Sequence, residues 1–113
     1  MFDSVTTNAL TSALDGLALR QRTIAQNIAN VNTPGYHAQV VSFENALAAS
    51  VQGGDGTAAA TTTTSPAPAQ QNGNNVSLDS ETLNNIETVL RYQFATRAVN
   101  MDFDATQSAM KTS

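Results

Sequence analysis

The chain has 113 residues, a formal net charge of −4 and no cysteine. Its five Lys and Arg residues are spread along the sequence, which excludes the basic surface that nucleic-acid binding requires. The lack of cysteine excludes disulfides, thiolate metal sites and a cysteine nucleophile. Only 23 residues are Leu, Ile, Val or Phe, against 18 Ala, so a single copy is expected to have a thin core and to gain stability from partners.

Residues 1–31 carry the pattern of a long amphipathic helix. Apolar side chains recur at steps of three, four and seven, which places them on one helical face. The seven-residue step also favours packing of the coiled-coil type. Alanines flank this face and would let neighbouring helices approach closely. The residues expected to pack against other subunits are Leu10, Leu14, Leu17, Ile24, Ile28 and Val31.

This helix is expected to end at a turn, followed by an extended segment and a short helix, all within residues 32–51. Pro34 disfavours a helical conformation at Thr33, and the Pro-Gly pair suits a type II turn with positive φ at Gly35. Two adjacent valines then favour extended backbone, and a short helix is expected to start near Phe43. The turn motif comprises Asn30, Asn32, Thr33, Pro34, Gly35 and Tyr36.

Residues 52–75 have the composition of a low-complexity linker. They contain no Leu, Ile, Val, Phe or Met, one charged residue, and four of the six glycines. Four consecutive threonines precede a short stretch with two prolines. This composition favours a disordered tether without packed side chains.

A second long helix is predicted over residues 76–113. Ser77 is a candidate N-cap, and acidic residues follow it in the first turn, where they complement the helix dipole. Large apolar residues then recur with helical spacing, partly at steps of eleven. The residues expected on its packing face are Leu83, Ile86, Leu90, Phe94 and Met101.

Together these elements predict an all-α fold. The two long amphipathic helices are expected to pair as an antiparallel, coiled-coil-like hairpin, joined by the turn, the short extended segment and the disordered linker.

Few residues have side chains suited to catalysis or metal binding, and they do not form a recognisable catalytic, metal or cofactor site. His37 is the only histidine, and it has no second His or Cys with which to hold a metal. Asp102 and Asp104 are two positions apart on a predicted helix and so point to different faces. No apolar run is long enough to span a bilayer, and the first ten residues do not resemble a cleaved signal peptide. We therefore expect neither an enzyme nor a membrane-inserted protein.

The segment from Ala25 to Tyr36, Ala-Gln-Asn-Ile-Ala-Asn-Val-Asn-Thr-Pro-Gly-Tyr, resembles the N-terminal signature of the flagellar rod and hook axial proteins. The later segments Phe43 to Leu47, Val76 to Asp79 and Leu90 to Gln93 are similar to the proximal rod members of that family. This resemblance covers about two thirds of the chain. It implies a structural subunit of the basal-body rod that transmits torque as part of the drive shaft.

The same resemblance implies location and partners. Such subunits assemble as a helical oligomer in the periplasm, forming a tube from their paired terminal helices, and are exported without a cleaved signal peptide. The implied partners are other flagellar rod subunits, basal-body adaptor and membrane-ring proteins, and the type III export apparatus. Phe43 and Leu47 have the spacing of a candidate export-gate element, although burial of this pair within a local helix is the favoured interpretation.

A rival hypothesis from another class is a small secreted helical-hairpin adaptor or effector. Such proteins share the short length, the acidity and the lack of cysteine. They turn around a Trp-x-Gly motif, however, and this chain has no Trp. The rod hypothesis is therefore favoured.

Overall fold

Three helices and two short strands make up the fold in the computed structural model, which describes residues 4–112. In chain order they are α1 (Ser4–Ala29), β1 (Gln39–Ser42), α2 (Glu44–Gln52), β2 (Thr61–Thr64) and α3 (Leu78–Thr112). The structure thus has the two long helices that the sequence predicts, and β1 and α2 lie between them. Residues 1–3 and 113 of the predicted terminal helices lie outside the described part.

Helices α1 and α3 lie side by side and run in opposite directions. Asn27, near the end of α1, contacts Glu81 in the first turn of α3. Leu17 lies ten residues before Asn27 in α1 and belongs to the cluster against which Ala95 of α3 packs. Residue numbers thus fall along α1 as they rise along α3, so the two long helices are antiparallel.

A two-stranded antiparallel sheet makes the expectation of an all-α fold wrong. Strand β1 pairs with β2 so that Gln39 lies opposite Thr64 and Ser42 lies opposite Thr61. The β-branched threonines suit extended backbone, and the valines of β1 provide the other strand. The fold is mostly helical, with this small sheet beside α1.

The described part of the linker is also ordered, contrary to the expectation of a disordered tether. Within residues 52–75 the chain forms strand β2 and then buries Asn74 and Asn75, which are 0% and 7% exposed. Gly56 is buried against α1, and a Cβ atom there would clash with the carbonyl oxygen of Val5. Hydrogen bonds replace the missing apolar contacts, which explains how a segment with so few apolar residues is held in place.

The core is small, as the composition predicts. Its centre consists of Leu17, Val41 and Phe43, which are 3 to 5% exposed. Gly16 allows the ring of Phe43 to approach α1, because a Cβ atom at Gly16 would lie only 2.5 Å from that ring. Half-buried apolar residues complete the cluster: Ala13, Leu19, Leu47, Ala60 and Ala95.

Candidate assembly interface

Helix α3 turns polar and small residues toward α1. Glu81 and Thr88 are buried, at 7% and 2% exposure, and Ala95 packs on the core cluster. These three residues are seven positions apart, which is the spacing of a helix that follows a partner in a coiled coil. The internal contact of α3 therefore uses few large apolar side chains.

Five large apolar residues of α3 lie on its other side and face solvent. At 100° per residue, Leu83, Leu90, Phe94 and Met101 fall within a narrow arc that is almost opposite Glu81 and Thr88. We call this surface the apolar face of α3. Its members and their exposed fractions are Leu83 (67%), Ile86 (54%), Leu90 (54%), Phe94 (75%) and Met101 (70%).

The apolar face of α3 contains all five C-terminal residues that the sequence predicts to pack, and no other described residue of the chain covers them. An aligned row of exposed large apolar side chains is uncommon on a monomer and marks a surface for interaction. The periodicity places these five residues on one face, whereas the orientation of that face away from α1 appears only in the structure.

The predicted packing residues of α1 are divided between the core and the surface. Leu17 and Ile24 are buried, at 3% and 5% exposure. Four others are half-buried: Leu10, Leu14, Ile28 and Val31. Because a half-buried side chain can contact its own chain and a neighbour at once, α1 retains apolar surface on which another helix could pack.

Asn27 joins four parts of the fold through one side chain. Its Oδ1 accepts hydrogen bonds from the backbone N–H of Gln39 (3.0 Å) and the hydroxyl of Tyr36 (3.2 Å). Its Nδ2 donates to the carbonyl oxygen of Gln39 (2.9 Å) and to Oε1 of Glu81 (3.0 Å). This residue, 1% exposed, therefore holds α1, the turn, β1 and α3 together.

The carboxyl group of Glu81 lies on a cleft of about 300 Å³ between α1, β1 and α3. Burial raises its pKa, and the hydrogen bond from Asn27 opposes part of that rise.

At the rim of the cleft, Arg20 donates two hydrogen bonds to Glu44 (2.6 and 2.7 Å), which lower the pKa of Glu44 to about 2. Arg91 of α3 also pairs with Glu44, at 3.1 Å. Glu44 of α2 is thus paired with Arg20 of α1 and with Arg91 of α3.

The predicted turn is present after α1. Gly35 has φ of +75°, as a type II turn requires, and the N–H of Tyr36 donates to the carbonyl of Thr33 (3.2 Å). The side chain of Asn74 donates to the carbonyls of Asn30 and Thr33, both at 2.8 Å. Asn32 and Pro34 are exposed beside these contacts.

Sequence reasoning missed Asn74 and Asn75, because polar residues in a segment of low complexity resemble a solvated loop. Asn75 accepts a hydrogen bond from the N–H of Ala38 (2.7 Å) and donates to the carbonyls of Ser65 and Ala67 (3.1 and 3.0 Å). The Asn-Gly pair just before them is a strong turn signal that could have indicated local order.

The two residues of the candidate export-gate element belong to the core region. Phe43 is 5% exposed, and the guanidinium carbon of Arg20 lies 4.9 Å from the centre of its ring. Leu47 is half-buried against the same cluster. In the folded chain Phe43 is therefore inaccessible to a binding partner.

The part of the chain that the structure describes contains neither a candidate metal site nor a candidate membrane-spanning helix. Residues 4–112 contain no group of three or more His, Cys, Asp or Glu side chains placed to hold a metal ion. Over the same residues, no helix combines the length and the apolar character needed to cross a membrane.

Comparison with known proteins agrees with the resemblance seen in the signature segment. Residues 8–37, which span most of α1 and the turn, match the family described as Flagella basal body rod protein. The chain is also 30% identical over 121 residues to the Flagellar basal body rod protein FlgB of Bacillus subtilis (strain 168), covering 95% of this chain and 94% of that protein. The chain belongs to the flagellar basal body rod protein family.

Proposed function

We propose that this protein is a proximal subunit of the flagellar rod and that the apolar face of α3 packs against helices of neighbouring subunits. Membership of the family makes the chain a structural component of the basal-body rod. The proximal position is supported by the similarity to FlgB along nearly the whole chain. The observation that carries the packing proposal is the row of large apolar side chains, 54 to 75% exposed, on α3.

The shape of the subunit suits assembly into a tube. Its principal extents are 66 × 26 × 14 Å, so it is a thin slab with two long helices along its length. Placing such slabs side by side would cover the apolar face of α3 with the half-buried residues of α1 from the next copy, and the result would be a helical oligomer. Torque would pass through the subunits by these contacts, without any catalytic step.

We further propose that the partners are other rod subunits, basal-body adaptor and membrane-ring proteins, and the type III export apparatus. These assignments follow from the family, and the site of assembly would be the periplasm. If Phe43 and Leu47 serve as an export-gate element, the export apparatus must bind them before the chain folds, because Phe43 is buried in the core.

Substituting one residue of the apolar face tests the proposal. Phe94→Glu places a charge at a side chain that is 75% exposed and so leaves the subunit fold intact. We expect the variant to be exported but not incorporated into rods, because a charge buried between subunits is strongly unfavourable. The measurements are swimming motility, recovery of the subunit in purified basal bodies, and export.

Asn100→Glu is the matched control, because it adds the same charge to an exposed position of α3 outside the apolar face. We expect it to assemble and swim. The packing proposal is wrong if Phe94→Glu incorporates as well as Asn100→Glu does. Urea denaturation of both variants would show whether either change acts through the fold of the subunit.

A further inference from the structure

The two outer edges of the small sheet differ in whether other residues bond to their backbone groups. On the outer edge of β1, Asn27 bonds to both the N–H and the carbonyl of Gln39, and Arg20 donates to the carbonyl of Val41 (2.8 Å). Side chains of α1 thus occupy that edge. No described residue takes the equivalent place beside β2, where Thr61–Thr64 are all exposed.

The ladder identifies which backbone groups of β2 point outward. The N–H of Ser65 donates to the carbonyl of Ala38 (2.8 Å), so the neighbouring pair, Gln39 and Thr64, is not hydrogen-bonded to one another. Because hydrogen-bonded and non-hydrogen-bonded pairs alternate, the N–H and carbonyl groups of Thr62 and Thr64 point away from β1. We call these four groups the free edge of β2.

The free edge of β2 lacks the features that usually prevent pairing between molecules. Natural edge strands are protected by charged residues, by proline or by a bulge. Thr61–Thr64 contain none of these, and residues 56–78 contain no Asp, Glu, Lys or Arg. Two copies can therefore bring this segment together without local repulsion between like charges, although each chain carries a net charge of −4.

We propose that, outside the rod, two copies of this chain pair through the free edges of their β2 strands. In antiparallel pairing, Thr62 of each copy exchanges two main-chain hydrogen bonds with Thr64 of the other, which satisfies every group of the free edge. Thr63 then lies on the two-fold axis, opposite Thr63 of the second copy. All paired residues are threonines, whose side chains pair favourably across strands.

This contact is distinct from the packing of α3 proposed above. A two-fold contact joins a patch to the same patch and closes a dimer, so it cannot repeat in an array whose copies all point the same way. The dimer would therefore be a state of free subunits that must separate before they assemble. A failure of this inference would leave the role of the apolar face of α3 untouched.

Single cysteines provide the test, because the natural chain has none. In a non-hydrogen-bonded antiparallel pair the Cα atoms are about 4.5 Å apart, within the range that a disulfide spans. We expect full-length Thr63→Cys to form a disulfide dimer under mild oxidation. Thr61→Cys is the matched control, exposed on the same face of β2, but it would lie about 13 Å along the strand from its counterpart. Thr63→Cys should cross-link at least about 10-fold faster.

Proline at position 62 tests the role of the main chain. Thr62→Pro removes an outward N–H but leaves the hydrogen bonds between β1 and β2 in place. Added to Thr63→Cys, it should slow cross-linking by at least about 10-fold. Thr64→Pro provides the same test if circular dichroism shows that Thr62→Pro loses helix. Equal cross-linking of Thr63→Cys and Thr61→Cys, or no effect of either proline, would overturn the proposal.

Discussion

The Nδ2 group of Asn27 donates a hydrogen bond of 3.0 Å to the Oε1 atom of Glu81, a residue 54 positions later in the chain. This contact joins the last turns of α1 to the first turn of α3 at the closed end of the hairpin. Both residues are buried, so each provides a partner that the other could not obtain from water.

Replacing Asn27 with alanine should therefore destabilise the subunit strongly. The change leaves the half-buried N–H and carbonyl of Gln39 and the buried carboxyl of Glu81 without their partner, at a cost of about 3 kcal/mol. Urea denaturation of the full chain measures this loss. Asn85→Ala, at an exposed position of α3, should change the free energy of unfolding by less than about 0.5 kcal/mol. Equal effects of the two substitutions would refute the role given to Asn27.

The raised pKa of Glu81 predicts a specific pH dependence. Because burial raises the pKa above the ordinary 4.5, the folded chain binds this proton more tightly than the unfolded chain does. The stabilisation by Glu81 is present below the unfolded pKa and is lost as pH rises through the folded pKa. Glu81→Gln keeps an acceptor for Asn27 without the charge, so it should be more stable than wild type at pH 7.

The advantage of Glu81→Gln should shrink as pH falls toward 4, and urea midpoints of both proteins between pH 4 and pH 8 test this. Glu44 contributes the opposite trend, since its pKa is lowered to about 2 by the hydrogen bonds from Arg20. That trend is common to both proteins and cancels in their difference. A difference that is constant with pH would show that Glu81 has the same pKa in the folded and unfolded chains.

Gly16→Ala should destabilise the core although alanine is the better helix former. A new Cβ atom would lie 2.5 Å from the ring of Phe43, so the ring must move. Overpacking of this kind costs about 1 to 3 kcal/mol, which exceeds the gain of about 1 kcal/mol in helix propensity. Gly53→Ala is the control, because its Cβ atom would meet its nearest neighbour at an ordinary 3.5 Å. Thermal denaturation should rank Gly16→Ala below wild type and Gly53→Ala close to it.

Deletion of residues 57–70 should also destabilise the chain, although the composition of this segment suggests a dispensable tether. The deletion removes β2 and the carbonyls of Ser65 and Ala67, which accept hydrogen bonds from the buried Asn75. We expect a loss of at least about 2 kcal/mol in urea denaturation. Thr62→Ser, which keeps the backbone, should be nearly neutral. A deletion variant as stable as wild type would restore the tether interpretation.

Periodicity was sufficient to predict the helices but not what each helical face contacts. Leu83 and Phe94 share a face in both sequence and structure, yet spacing alone does not reveal whether that face meets α1 or another molecule. The internal seam of α3 could not be predicted, because Glu81 and Thr88 do not resemble core residues.

The sheet was missed for a related reason. Four consecutive threonines show no alternation of apolar and polar residues, so the pattern that identifies a half-buried strand is absent. Asn74 and Asn75 are buried, and their side chains bond to backbone groups of residues far away in the sequence. The composition of a segment does not indicate such partners. The turn at Gly35, by contrast, depends on local backbone geometry and was predicted correctly.

The capping of α1 by Asn74 has a consequence for the order in which the chain folds. The carbonyls of Asn30 and Thr33 accept bonds from the nearby N–H groups of Thr33 and Tyr36, and each accepts a second bond from a side chain that is synthesised 44 and 41 positions later. A nascent chain can therefore form α1 and the local turn after it long before Asn74 is available to hold that turn. The hairpin is completed late in synthesis, and fragments that stop before residue 74 should contain α1 and a turn that lacks the bonds from Asn74.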